Sequence, residues 1–259
     1  MSYQLILSKD HPRRIFTILT IIQLALVSVY VVIFIINNRN SEMFNLDAEG
    51  NIPAWFSSVQ LFLTGLVLFA GNIDHITFNK LTRNFIRLMA LGFILLSLDE
   101  SAKIHETLSN LLKSAGWKYY FKGKSGVWII VYSAVGAAVI LWGWRAISVL
   151  LRHFKKEIVI ITSGFAVLFL GAVVLETLAY QYLKDNGHET LYKIEVAFEE
   201  YFEMLGASIM LLGAMKLLLR SQIENNMNVI ISGKADRGKK SETGKKSETG
   251  KKSEIETGK

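Results

Sequence analysis

The sequence has no cysteine. Disulfides, thiolate metal ligands and a cysteine nucleophile are therefore excluded, and cysteine usage says nothing about redox compartment. Proline is nearly as scarce: Pro12 and Pro53 are the only two, each just ahead of an apolar block. Also missing is a basic stripe interleaved with aromatics, the pattern that tracks a nucleic-acid backbone. The formal net charge is +7, but the segment from Arg220 to Lys259 holds ten Lys/Arg against six Asp/Glu and supplies more than half of it. No nucleic-acid partner is expected.

What the chain has instead is hydrophobicity in long blocks. Spanning about 30 Å of hydrocarbon takes roughly 20 apolar residues in a helix. Six stretches meet or approach that: 15–36, 54–73, 85–104, 127–147, 158–180 and 194–219. The first apolar run is too long for a cleavable signal peptide and lacks a small-residue cleavage site. The expectation is an all-α, polytopic membrane helical bundle of six transmembrane helices over residues 1–220. Its membrane is expected to be the cell inner (plasma) membrane.

Orientation follows from the distribution of lysine and arginine. Basic residues precede the first span, lie between the second and third (Lys80, Arg83, Arg87) and between the fourth and fifth (Arg152, Lys155, Lys156), and follow the sixth. The loop between the first two spans carries Glu42, Asp47 and Glu49 against Arg39. Both termini are therefore expected in the cytoplasm. Lys113, Lys118, Lys122 and Lys124 dissent, since they fall on the outer side. Trp55, Trp117, Trp128, Trp142 and Trp144 sit at span ends and read as interfacial belts. From Gly238 the chain reads GKKSET, GKKSET and GKKSEIETGK, a unit that cannot bury a core, and residues 221–259 are expected to be a disordered basic cytoplasmic tail.

Against this apolar background one segment, Ser97–Glu106 (SLDESAKIHE), is dense in charge. A rise of 1.5 Å per residue puts Asp99 roughly 18 Å beyond Arg87, Glu203 roughly 20 Å from Lys216, and Glu176 roughly 27 Å from Ile158. Three helices thus place acids in one outer layer. In the third span Asp99, Ala102, Lys103 and Glu106 share a face, with Glu100 and His105 on its flanks. In the sixth, Glu195, Glu199 and Glu203 form a stripe broadened by Glu200, with Gly206 in line to admit a neighbouring helix. Eight carboxylates crowd this layer: Asp99, Glu100, Glu106, Glu176, Glu195, Glu199, Glu200 and Glu203. Lys103, His105 and Lys193 are the nearest cations in sequence. Pairing of Lys103 with Asp99 and Glu106 would account for two or three acids, not for eight.

Intramembrane ionisable groups mark functional sites. Carboxylates and a histidine on facing helices are the ligand types of bundle metal centres, although the Glu-x-x-His pairs of di-iron proteins are not present. The oxygen-rich set suits magnesium, calcium or manganese better than zinc. Asp99, Glu100, His105, Glu106, Glu176, Glu195, Glu199 and Glu203 are the candidate ligands of a divalent metal ion. Asp99, His105 and Glu106 are the candidate acid–base groups, and a lipid-like molecule is the candidate substrate. Ser57 or Ser58 acting as a nucleophile is the weaker hydrolytic variant, because no nucleophile elbow surrounds either. The alternatives are a cation- or proton-coupled transporter using the acids as a relay, and a non-catalytic membrane assembly factor.

The acidic loop leading into NIPAWFSS, then LSLDESAKIHE, then FEEYFEMLG resemble a group of prokaryotic multi-pass membrane proteins with W-F-S-S, D-E…H-E and E-E…E-x-L-G segments. That resemblance implies a membrane protein and no assigned activity. Intramembrane proteases with E-E-x-x-x-R need an arginine where Met204 stands, and ceramidase-like hydrolases need three histidines in their metal site.

Overall fold

The computed structural model describes residues 9–37, 41–70, 80–117, 127–183 and 188–255, the last segment with side chains to Glu224. Seven helices carry the described residues. They are α1 (His11–Asn37), α2 (Ile52–Ala70), α3 (Lys80–Ala102), α4 (Ile104–Ser114), α5 (Val127–His153), α6 (Lys155–Phe169) and α7 (Glu189–Ile255). A short 3-10 turn, Glu42–Phe44, lies between α1 and α2. No strand occurs among the described residues. The chain divides into two units, Met1–Leu219 and Arg220–Lys259. In the second, Arg220 Nε donates to Glu224 Oε1 at 3.1 Å.

Among the described residues, six helical segments are long and apolar enough to cross a membrane: His11–Ile36, Ile52–Ala70, Lys80–Ala102, Trp128–His153, Lys155–Leu183 and Glu189–Glu224. Large side chains stand exposed along them, among them Ile21, Ile35, Phe69, Leu95, Leu141 and Phe198. An aqueous surface would penalise such exposure, whereas lipid welcomes it.

Two features depart from plain spans. The third span, expected to run unbroken to Ile104, ends at Ala102, because Lys103 adopts φ 55°, ψ 41°. This left-handed conformation is costly for any residue with a Cβ. Asp99 supports it: its Oδ1 accepts the backbone N–H of His105 at 2.7 Å, as a side-chain cap at the start of α4. The expected face shared by Asp99, Lys103 and Glu106 does not survive this break. The second departure lies past Phe169, where α6 continues as a π-helix over Leu170–Leu175, one α-turn over Glu176–Leu178, and a second π-stretch over Ala179–Leu183. Such wide turns recur at functional sites.

Three apolar clusters hold the first unit together. The largest joins α2 (Leu61, Leu68), α3 (Phe85, Phe93), α5 (Leu150) and α7 (Met210, Leu217). A second gathers Tyr30, Leu46, Ala179, Tyr192 and Val196, and a third Leu26, Phe56 and Met204. All three include residues of α7, so α7 is the central post. Its approach to α6 is close because Gly164 and Gly206 face each other. A Cβ on Gly206 would lie 2.5 Å from Leu168 N and 2.7 Å from Gly164 O. Gly206 thus does admit a neighbouring helix, as its place in the glutamate stripe predicts.

Candidate carboxylate–histidine site

The site begins in the loop between α1 and α2. Asn51 folds it: Oδ1 accepts from Ala54 N at 3.1 Å, capping α2, while Nδ2 donates to Asn45 O at 2.6 Å and to Ala48 O. Gly50 supplies the left-handed turn at φ 78°. Asp47 ties the loop to α7, accepting from the Tyr192 hydroxyl at 2.6 Å and from Lys193 Nζ at 3.0 Å. Glu49 is thereby held over the start of α4.

There it meets His105. Nε2 of the imidazole lies 3.2 Å from Glu49 Oε1, and Nδ1 lies 3.3 Å from Asp99 Oδ2. Burial opposes charging the ring, but hydrogen bonds to Asp99 and Glu49 and the charges of both outweigh it, pushing its pKa up to about 10. Asp99 therefore faces His105, a partner other than the Lys103 of the plain ion-pair account. The ring of Trp128 rests 5.2 Å from that of His105, and Tyr132 meets Trp128 edge-on at 5.3 Å. Trp128, expected in an aromatic belt, instead walls the site. Trp55, Trp117, Trp142 and Trp144 are exposed, as belt residues should be.

Glu106 completes the group from the first turn of α4. One ligand atom each from Glu49, His105 and Glu106 lie within 4.8 Å of one another, close enough to share a metal ion. Asp99 sits behind the imidazole rather than beside these three. A carboxylate on the far nitrogen is how metal-ligating histidines are oriented.

The remaining predicted acids form a connected layer beside this group. Glu100 is an electrostatic neighbour of Glu49, His105 and Asp99. Glu200 feels Glu100, Glu49, Asp47 and Glu176, and Glu203 feels Glu200, Glu100, Glu199 and Glu176. Glu195 joins at the far side, through Glu176 and Asp47. Glu176, Glu195, Glu199 and Glu203 thus share the layer without joining the close His105 group. Gly171 lets α6 reach them, since a Cβ there would lie 2.7 Å from Glu199 O and 2.9 Å from Glu203 Cγ. Both carboxylate oxygens of Glu195, Glu49 Oε2 and the Tyr30 hydroxyl are buried without a hydrogen-bond partner among the described residues.

Residues 15–217 match the model of a family described as a domain of unknown function, DUF8692. The chain belongs to the DUF8692 family. No curated protein and no solved structure matches it. In this DUF8692 chain, the sequence reading missed Asp47 and Glu49, which it used only as an orientation signal. The available clue was Gly50-Asn51, a turn pair directly beside two acids. Of the two serines weighed as nucleophiles, Ser58 is hydrogen-bonded to Ser97 O at 2.8 Å, Ser97 Oγ at 2.9 Å and Ser101 Oγ at 2.7 Å, and Ser57 Oγ is buried without a partner among the described residues.

Proposed function

We propose that this protein is a multi-pass plasma-membrane protein, with both termini cytoplasmic, that binds a divalent cation at an outward-facing site made by Glu49, His105 and Glu106. The observation that carries the reading is the convergence of those three ligand atoms within 4.8 Å, with Asp99 on the opposite nitrogen of the imidazole. The partnerless buried Oε2 of Glu49 supports it, because a dry carboxylate needs a proton or a cation. One imidazole among carboxylates favours manganese or magnesium over zinc. A bound ion would supply Lewis-acid activation of an ester or phosphoryl oxygen, fitting a lipid-like substrate drawn from the outer leaflet. Asp99 would fix the imidazole, and Glu100 would hold or release a proton beside it. Its relatives, on this reading, are prokaryotic membrane proteins sharing the three acidic segments. The GKKSET repeats from Gly238 would serve as a basic extension of the chain, since they present no apolar face for packing.

The test is elemental analysis of protein purified without chelator from cells supplied with native metals. Wild type should carry a stoichiometric divalent ion, and His105→Ala and Glu49→Gln should lose it. A metal-free wild type ends the proposal. A second reading, cation- or proton-coupled transport, draws on the crowding of Glu176, Glu199, Glu200 and Glu203. It predicts ion-driven uptake in liposomes that Glu203→Gln abolishes.

A further inference from the structure

Away from the carboxylates, three buried polar side chains on three helices lie one turn inward of an apolar ring. Leu26, Phe56 and Met204 form that ring. Gln23 lies one turn before Leu26, Gln60 one turn after Phe56, and Ser208 one turn after Met204. Since α1 runs toward the acid layer and α2 and α7 run away from it, all three fall on the inner side of the ring. Direct bonds join Gln23 to α7: its Nε2 donates to Met204 O at 2.8 Å and to Ser208 Oγ at 2.6 Å. Thr64 follows one turn below Gln60 and donates to its backbone oxygen at 2.9 Å. Met210, two residues beyond Ser208, instead packs against Gly164 of α6, where a Cβ would lie 2.7 Å from its Cγ.

Gln23 is 0% and Gln60 1% exposed, yet Gln23 Oε1 and both amide atoms of Gln60 have no hydrogen-bond partner among the described residues. Burying an amide unpaired in apolar surroundings is costly, and helical offset places both amides one turn inward of the same ring. Their chemistry selects the ligand. Gln60 offers N–H donors and a carbonyl, Gln23 offers a carbonyl, and Ser208, already accepting from Gln23, has a proton to donate. A bare cation would face the Gln60 N–H groups, and an anion would face two carbonyls. A neutral molecule that both donates and accepts satisfies the set.

We propose that Gln23, Gln60 and Ser208 bind water inside the membrane, beneath the Leu26–Phe56–Met204 ring. A buried water typically makes about three hydrogen bonds, and these side chains supply that number. The polar interior then extends inward past the acid layer, interrupted by a single apolar ring. This inference is independent of what the outer carboxylates hold.

X-ray hydroxyl-radical labelling of the full chain in lipid nanodiscs tests it, because radicals formed from bound water modify side chains that bulk solvent never reaches. Met204 and Met210 are both 0% exposed, and Met43 is 63% exposed. Met204 should be labelled several-fold faster than Met210, with Met43 as the solvent-exposed reference. In Gln60→Met the Met204 labelling should fall, and Tm should drop by about 3 °C. A Met204 rate no higher than that of Met210 overturns the proposal. So does a rise in Tm for Gln60→Met, the result expected if the amide were simply buried unpaired. If Gln60→Met does not fold, the wild-type labelling decides alone. His105→Ala and Glu49→Gln should leave Met204 labelling unchanged, which separates this proposal from the metal reading.

Discussion

Asp99 holds His105 twice: one carboxylate oxygen accepts its backbone N–H at 2.7 Å, the other faces Nδ1 at 3.3 Å. One side chain thereby fixes both where α4 begins and which way the imidazole points. The two roles separate by substitution. Asp99→Ala should cost about 1–3 kcal/mol of stability, as for other buried charged hydrogen-bond partners. Asp99→Asn keeps an oxygen for the backbone N–H, so thermal unfolding should show a smaller loss. Its metal affinity should still fall by about 10–100-fold, measured by titration with manganese.

The His105 imidazole should stay charged far above the ordinary histidine range in metal-free protein. Its folded pKa of about 10 exceeds the ordinary 6.5, so its charge contributes stability in full below 6.5. That contribution is lost as pH rises through about 10. Histidine NMR of chelator-treated protein checks this. A midpoint near 6.5 for His105 would show that the Glu49 and Asp99 contacts do not form.

Gly206→Ala should destabilise by about 1–3 kcal/mol, because the new methyl meets the α6 backbone and no flexible side chain can yield. Gly171→Ala presses instead on Glu199 O and Glu203 Cγ, and should disturb the glutamate stripe. If the stripe serves ion-driven transport, uptake should fall further in Gly171→Ala than in Gly206→Ala at matched stability.

Lys103→Gly should raise stability by about 1 kcal/mol, since glycine takes the left-handed φ without strain. Lys103→Val, β-branched at that φ, should lower it. Denaturation followed by tryptophan fluorescence compares the two.

The spans were legible because hydrocarbon imposes a length and a composition that few other environments do. The common layer of Asp99, Glu176 and Glu203 was legible because helical rise is constant. The break at Lys103 was not, since nothing in the local sequence marks a lysine for a left-handed conformation. It follows from Asp99 capping forward, and that depends on where α4 packs. Asp47 and Glu49 were hidden for a related reason: a loop has no periodicity to fix its facing, and only the bonds from Asn51, Tyr192 and Lys193 place it. Trp128 was misassigned because the sequence end of a span and the wall of a site occupy the same depth.

The wide turns on either side of Glu176 make α6 behave like a helix carrying inserted residues. One residue added to a helix rotates everything beyond it by about 100°. The facing of Glu176 is therefore set by register before it is set by packing. Deleting one residue from Leu170–Leu175 would leave six spans of adequate length and the same composition, yet turn this carboxylate toward a different neighbour. Length polymorphism there would alter the chemistry of the layer while leaving the hydropathy profile almost untouched.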